Sequence, residues 1–146
     1  QFEIHECICL DLFAGTGSLG IEALSRGSPK VIFVELNKKN YSSLLTNLKC
    51  LGIRDKCKIF FKDAFSWLKN YDLSEVDIIF LDPPFNKDFE TKILNQLFKK
   101  KDLKPFCKIY LEYSKYNEIE IPKGFIVLKE KEVGDVKALL LVKDEN

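Results

Sequence analysis

The stretch from Cys7 to Gly20 constrains this chain more than any other part of it. An apolar run, Cys7 to Phe13, gives way to Ala14-Gly15-Thr16-Gly17-Ser18, and apolar residues then recur at Leu19, Ile21, Ala23 and Leu24. A short apolar run, a glycine turn and a helical spacing predict strand, loop and helix, the opening of a parallel α/β unit. Glycine lets the backbone approach a ligand closely, and the N–H groups at a helix start favour electron-rich atoms. Taken alone, the glycines also fit a tight turn that holds nothing.

The same alternation continues along the chain. Strands are predicted at Val31–Glu35, Lys58–Lys62, Val76–Leu81 and Cys107–Glu112, with helices at Asn37–Leu51, Ala64–Asn70 and Phe89–Lys99 between them. Gly27 and Gly52 stand where helix-ending glycines belong, and Asn37 where an N-cap does. Gly124–Lys131 and Val136–Lys143 read as two strands joined at Gly134-Asp135 with no helix between, so they pair antiparallel. The expected fold is α/β, a Rossmann-like, doubly wound, mostly parallel sheet with an antiparallel C-terminal edge strand. All 146 residues form one domain on this reading.

Composition narrows the choice of function. No apolar run approaches the ~20 residues of a membrane span and no signal-peptide pattern opens the chain, so a cytoplasmic protein is expected. The five cysteines are an odd number among apolar residues, with His5 as the single histidine, so no metal site is expected and the thiols read as reduced and structural. Cys7 and Cys9 are taken to face opposite sides of the first strand. A net charge of +1 does not announce a nucleic-acid binder. The basic clusters Lys38-Lys39 and Lys99-Lys100-Lys101 with Lys104 read chiefly as solvated helix ends, with RNA contact as the lesser reading of the Lys99 cluster. Methionine is absent, position 1 included. The chain is therefore expected to be a piece of a longer one, with something missing upstream of Gln1.

Acids at strand ends carry the chemistry. Gly15-Thr16-Gly17-Ser18-Leu19-Gly20 spells the G-x-G-x-x-G dinucleotide fingerprint, a weak signal by itself. Asp11, at the end of the first strand, would repel a pyrophosphate but suits the cationic amino group of S-adenosylmethionine. Glu35 ends the second strand, where an acid can hold both ribose hydroxyls. Asp63 ends the third and is read as accepting the adenine amine, with Ala64 offering its N–H; capping the next helix is its alternative use. Asp82-Pro83-Pro84-Phe85 follows the fourth. An exocyclic base amine is a poor nucleophile because its lone pair is delocalised into the ring. Accepting its two N–H hydrogens on the Asp82 carboxylate and a fixed backbone carbonyl localises that pair and aims it at a methyl group. Pro83 and Pro84 fix φ and offer no competing N–H, and Phe85 gives a flipped base a face to stack on.

Asp82-Pro83-Pro84-Phe85 together with Asp11-Leu12-Phe13-Ala14-Gly15-Thr16-Gly17-Ser18-Leu19-Gly20-Ile21-Glu22-Ala23-Leu24-Ser25-Arg26-Gly27 resembles the RsmD-type 16S ribosomal RNA guanine-N2 methyltransferases, a class I S-adenosylmethionine-dependent family. Further similarity runs through Phe33-Val34-Glu35, Asn47-Leu48, Tyr110-Leu111-Glu112 and Lys129-Glu130-Lys131 with Gly134 and Val136, so it covers nearly the whole chain. Two departures stand out. The family carries an N-terminal RNA-binding extension before the first strand, which this chain is expected to lack. It also tends to have an aromatic in the final strand where this chain has Ala138-Leu139. The resemblance implies methyl transfer to N2 of one guanine, the family target being guanine 966 of 16S rRNA, within the 30S subunit of a bacterial ribosome. It implies an RNA-binding monomer whose cofactor set is Asp11, Phe13, Ala14, Gly15, Thr16, Gly17, Ser18, Gly20, Glu35, Leu36, Asn37, Asp63 and Ala64. Asp82, Pro83, Pro84 and Phe85 are the implied catalytic set. The competing readings are another rRNA guanine or DNA adenine amino-methyltransferase, a non-catalytic S-adenosylmethionine-binding RNA scaffold, and an NAD-binding module, which Asp11 disfavours.

Overall fold

The computed structural model describes residues 3–84 and 88–145; Phe85, the last residue of the Asp82 motif, lies outside them. Seven strands form one sheet: β1 Ile8–Asp11, β2 Lys30–Glu35, β3 Cys57–Phe61, β4 Ile78–Leu81, β5 Lys108–Ser114, β6 Phe125–Val133 and β7 Val136–Lys143. Four α-helices join or flank them: α1 Ser18–Ser25, α2 Lys38–Cys50, α3 Ala64–Asn70 and α4 Phe89–Lys99. The spatial order is β3-β2-β1-β4-β5-β7-β6. β1 to β5 are parallel and β7 runs antiparallel to both β5 and β6. The expected reversed strand is thus β7, the last in the chain, which slots between β5 and β6 and leaves β6 as the physical edge.

Alternation along the strands builds two cores. Cys9, Val31, Phe33, Ile78 and Phe80 face one side, with Ala23 of α1 and Leu44 and Leu48 of α2. Leu10, Ile32, Val34, Ile79 and Leu81 face the other, with Trp67 and Leu68 of α3 and Ile93, Leu94 and Leu97 of α4. Each strand residue therefore has a face set by its parity. Cys7 packs against the same cluster as Cys9. Residues two apart on a strand share a face, so the expectation of opposite faces fails. All five cysteines are free thiols.

Helix α2 shows how little apolar surface a helix needs here. It buries only Leu44 and Leu48, each worth about 1.5–3 kcal/mol. The Asn37 side chain caps it by accepting the Asn40 N–H at 2.9 Å, which adds about 1 kcal/mol. At the other end of β4, the strand begins at Ile78 rather than Val76, because the Val76 N–H closes a turn onto the Leu73 carbonyl at 3.0 Å. No described helix is long and apolar enough to cross a membrane.

Candidate active site

The turn after β1 is held by its backbone. The Leu12 N–H reaches the Phe80 carbonyl and the Ala14 N–H the Val34 carbonyl, so the chain leaves the sheet between β4 and β2. Gly17 sits at φ 100° just before α1, and a Cβ there would lie 2.5 Å from Leu44 Cδ1. Gly20 is needed for a different reason: a Cβ would fall 2.3 Å from the Phe33 ring, so α1 packs on β2 only because the side chain is missing. The loop is thereby pressed down onto the carboxyl ends of β1 and β2.

Asp11 lies beneath that loop, 1% exposed. Its Oδ2 accepts the Gly20 N–H at 3.1 Å, while Oδ1 has no hydrogen-bond partner among the described residues. Burial, opposed by the Gly20 bond and reinforced by Asp82 and Glu35, pushes its carboxyl up to about 7. Glu35 ties the loop to α2: Oε1 accepts the Gly15 N–H at 2.6 Å and Oε2 the Asn37 N–H at 2.7 Å. Each carboxylate oxygen keeps a second lone pair, so two hydroxyls can still be accepted. Asp63 caps α3 by accepting the Ser66 N–H at 3.0 Å, the alternative use its sequence position allowed, and still borders the cleft. Asp82 follows β4 at the centre of the sheet. Desolvation, with the Glu112 carboxylate as the second cause, raises its carboxyl above the ordinary range.

These residues surround a cleft of about 730 Å³ over the carboxyl ends of the parallel strands. Of the expected set, Phe13, Gly15, Glu35, Leu36, Asn37, Asp63, Ala64, Asp82 and Pro84 line it. Asp11 stands behind the wall made by Leu12, Phe13 and Gly15, and Ala14, Thr16, Gly17, Ser18, Gly20 and Pro83 do not line the cleft. The sequence reading missed Lys38, Asn40, Lys62 and Phe89, which do. Lys62 adjoins Asp63, a signal that was present. Phe89 opens α4 and meets Phe13 and Phe65 at centroid distances of 6.5 and 5.4 Å, contacts that only the fold creates. Among the described residues no group of three His, Cys, Asp or Glu could hold a metal ion.

The basic cluster after α4 falls elsewhere. The Lys100 ammonium donates to the Leu68 and Tyr71 carbonyls at 2.8 and 2.9 Å, and Lys104 pairs with Asp77. Both stand at the amino ends of β4 and β5, across the sheet from the cleft.

A β3-β2-β1-β4-β5-β7-β6 sheet, a glycine turn after β1 and acids at the ends of β1 to β4 define a Rossmann-like class I methyltransferase fold. The comparisons agree: the family described as "Conserved hypothetical protein 95" matches residues 1–142. The chain belongs to that family, the RsmD-type methyltransferases. Proteins named Ribosomal RNA small subunit methyltransferase D from Haemophilus influenzae and Buchnera aphidicola are 38% and 37% identical to it. Those matches cover 91% and 92% of this chain and 70% of each relative. A crystal structure of a Haemophilus influenzae protein described as a methylase superposes with a TM-score of 0.84 at 37% identity, covering 97% of this chain and 89% of that one.

Proposed function

We propose that the protein transfers a methyl group from S-adenosylmethionine to the exocyclic N2 of a guanine in 16S rRNA, the family target being guanine 966, within the 30S subunit. The observation that carries this reading is a set of strand-end acids: Glu35, Asp63 and Asp82 line one cleft, and Asp11 is buried behind its wall. The unmet Oδ1 of Asp11 fits a cationic amino group coming up against the Leu12–Gly15 wall. Glu35, held by two backbone donors, presents its remaining lone pairs to a pair of vicinal hydroxyls. Asp63 and the Ala64 N–H border the part of the cleft that an adenine would fill. When bound, S-adenosylmethionine supplies a methyl group activated by its sulfonium.

Asp82 serves the acceptor. Its carboxylate takes one hydrogen of the base amine and a rigid carbonyl of the Pro83-Pro84 segment takes the other, which points the nitrogen lone pair along the line of displacement. Positioning of this kind supplies most of the rate enhancement in such transfers. The names of the relatives, small-subunit rRNA methyltransferases, support an RNA acceptor. Docking shared with ribosomal proteins accords with the modest net charge of +1, and the protein is proposed to work as a monomer in the cytoplasm.

The test is incubation of the protein with labelled S-adenosylmethionine and unmethylated 30S subunits, followed by digestion of the rRNA to nucleosides, with Asp82→Ala in parallel. Label in N2-methylguanosine that disappears in the variant supports the reading. Label in methyladenosine moves the protein to an adenine-modifying role, and cofactor binding without any product favours an RNA-docking scaffold.

A further inference from the structure

Beside the proposed site stands a carboxylate, Glu112, that methyl transfer to an amine does not require. β4 and β5 are parallel with Leu81 opposite Leu111, so Glu112 is the next residue on β5 as Asp82 is the next after β4. Phe80 and Tyr110, two residues earlier on each strand, pack edge to face with ring centroids 6.1 Å apart. Alternation carried one step further sets Asp82 and Glu112 side by side on neighbouring strands, about 4.8 Å apart along the sheet. Each strand contributes one acid to the carboxyl end of the sheet: Asp82 lines the cleft, and Glu112 stands beside it, outside the lining.

Glu112 is also held in place. The Tyr110 hydroxyl donates to its Oε2 at 2.6 Å, while among the described residues Oε1 takes no hydrogen bond and no lysine or arginine pairs with it. The two acids feel one another, since Glu112 helps to raise the Asp82 carboxyl. Burial, then the Glu112 carboxylate and then Asp82, raise the Tyr110 phenol. That raised phenol stays protonated and keeps donating. Two like charges side by side are unfavourable in the free protein, so a donor-rich partner is what this pair suits.

We infer that Glu112 reads the base: it accepts the N1–H of guanine while Asp82 takes a hydrogen of the adjoining N2 amine. Guanine presents two neighbouring donors on its Watson–Crick edge, N1–H and the N2 amine. Adenine presents its amine beside a bare N1 lone pair, which a second carboxylate repels. The Asp82 motif suits either amine, so Glu112 separates the two bases. Tyr110 is a positioning residue that fixes the carboxylate. This inference rests on the guanine-N2 reading above and adds the group that selects the base. A site built to hydrogen-bond a donor rejects analogues lacking it far more strongly than a merely shaped pocket does.

The test uses 30S particles reconstituted with either guanine or 2-aminopurine at the nucleotide that digestion and mapping identify. 2-Aminopurine keeps the N2 amine but carries a lone pair at N1. The wild-type protein is expected to favour guanine by about a hundredfold or more in kcat/KM. Glu112→Gln, whose amide can accept from N1–H or donate to bare N1, is expected to narrow that ratio by about tenfold or more. Its affinity for S-adenosylmethionine, measured by calorimetry, stays at the wild-type value. Tyr110→Phe narrows the ratio less and acts mainly through KM. Wild-type product in N2-methylguanosine, with a ratio that Glu112→Gln leaves unchanged, overturns this inference alone. So does a Glu112→Gln variant that loses activity and cofactor affinity in parallel. Wild-type product in methyladenosine, or none at all, overturns the guanine reading and this inference with it.

Discussion

The two ends of the parallel sheet use charge in opposite ways. At the amino ends, Asp77 accepts the Ile8 N–H and pairs with Lys104. Nearby, Lys100 satisfies two carbonyls and lies 3.7 Å from Asp102. At the carboxyl ends, buried Asp11 has one oxygen unmet and a carboxyl pushed up chiefly by burial, while exposed Asp82 is raised by partial desolvation and by Glu112. Charges that meet each other stabilise the fold. At the carboxyl ends the acids have no basic side chain paired with them among the described residues: Asp82 lines the cleft and Asp11 lies buried behind its wall. The unmet Oδ1 of Asp102 is no exception to the first rule, because the Lys100 ammonium faces it.

Substitution at the rim breaks this comparison most directly. Asp82→Ala is expected to lower kcat for methyl transfer by about 10²–10³-fold, the effect of losing one positioned hydrogen-bonding group in a transition state. Calorimetry should find S-adenosylmethionine binding unchanged in that variant. A parallel loss of cofactor binding would place Asp82 among the structural charges instead.

The next largest effect belongs to Asp11→Asn. Losing a charge-assisted contact should weaken S-adenosylmethionine binding by about 1.5–3 kcal/mol at about pH 8. The wild-type pH dependence follows from its carboxyl at about 7, against an ordinary 3.8. The folded protein holds a proton there that the unfolded chain has released, so Asp11 makes stability fall as pH rises from about 4 to about 7 and stay level above. An ammonium ligand needs the ionised form, so affinity runs the other way. It should weaken about tenfold between about pH 8 and about pH 6 in the wild type and vary little in Asp11→Asn.

Two smaller effects sharpen the contrast through stability. Gly20→Ala drives a methyl group into the Phe33 ring and should cost about 1–3 kcal/mol in urea unfolding. Lys100→Ala leaves the Leu68 and Tyr71 carbonyls without their donor and should cost about 1–3 kcal/mol. Its affinity for 30S subunits should match the wild type. A variant that keeps its stability but loses 30S binding would show the amino ends to be the RNA surface.

Much of this was legible in the chain itself. Apolar runs and glycine punctuation located each described strand and α-helix to within a few residues, since parity and period are local properties, but not the 3-10 turn at Arg54–Lys56. The strand-end position of Asp11, Glu35, Asp63 and Asp82 followed from the same pattern. What a residue's oxygen already holds is not local. Asp63 turned out to cap α3, and Asp11 to stand behind the loop rather than in the cleft, because both depend on how α1 and α3 dock. Glu112 entered only within the Tyr110-Leu111-Glu112 similarity, with no role attached to it. Its place beside Asp82 comes from the β4–β5 register, which no short window of sequence contains.

The central claim is that the acids at the carboxyl ends form a seat for a cofactor bearing a cationic amino group. Calorimetric titration of the protein with S-adenosylmethionine and, separately, with NAD tests it most directly. The account predicts saturable binding of S-adenosylmethionine with release of protons below about pH 7, and no measurable binding of NAD. Tighter binding of NAD, or S-adenosylmethionine binding that ignores pH, would contradict it.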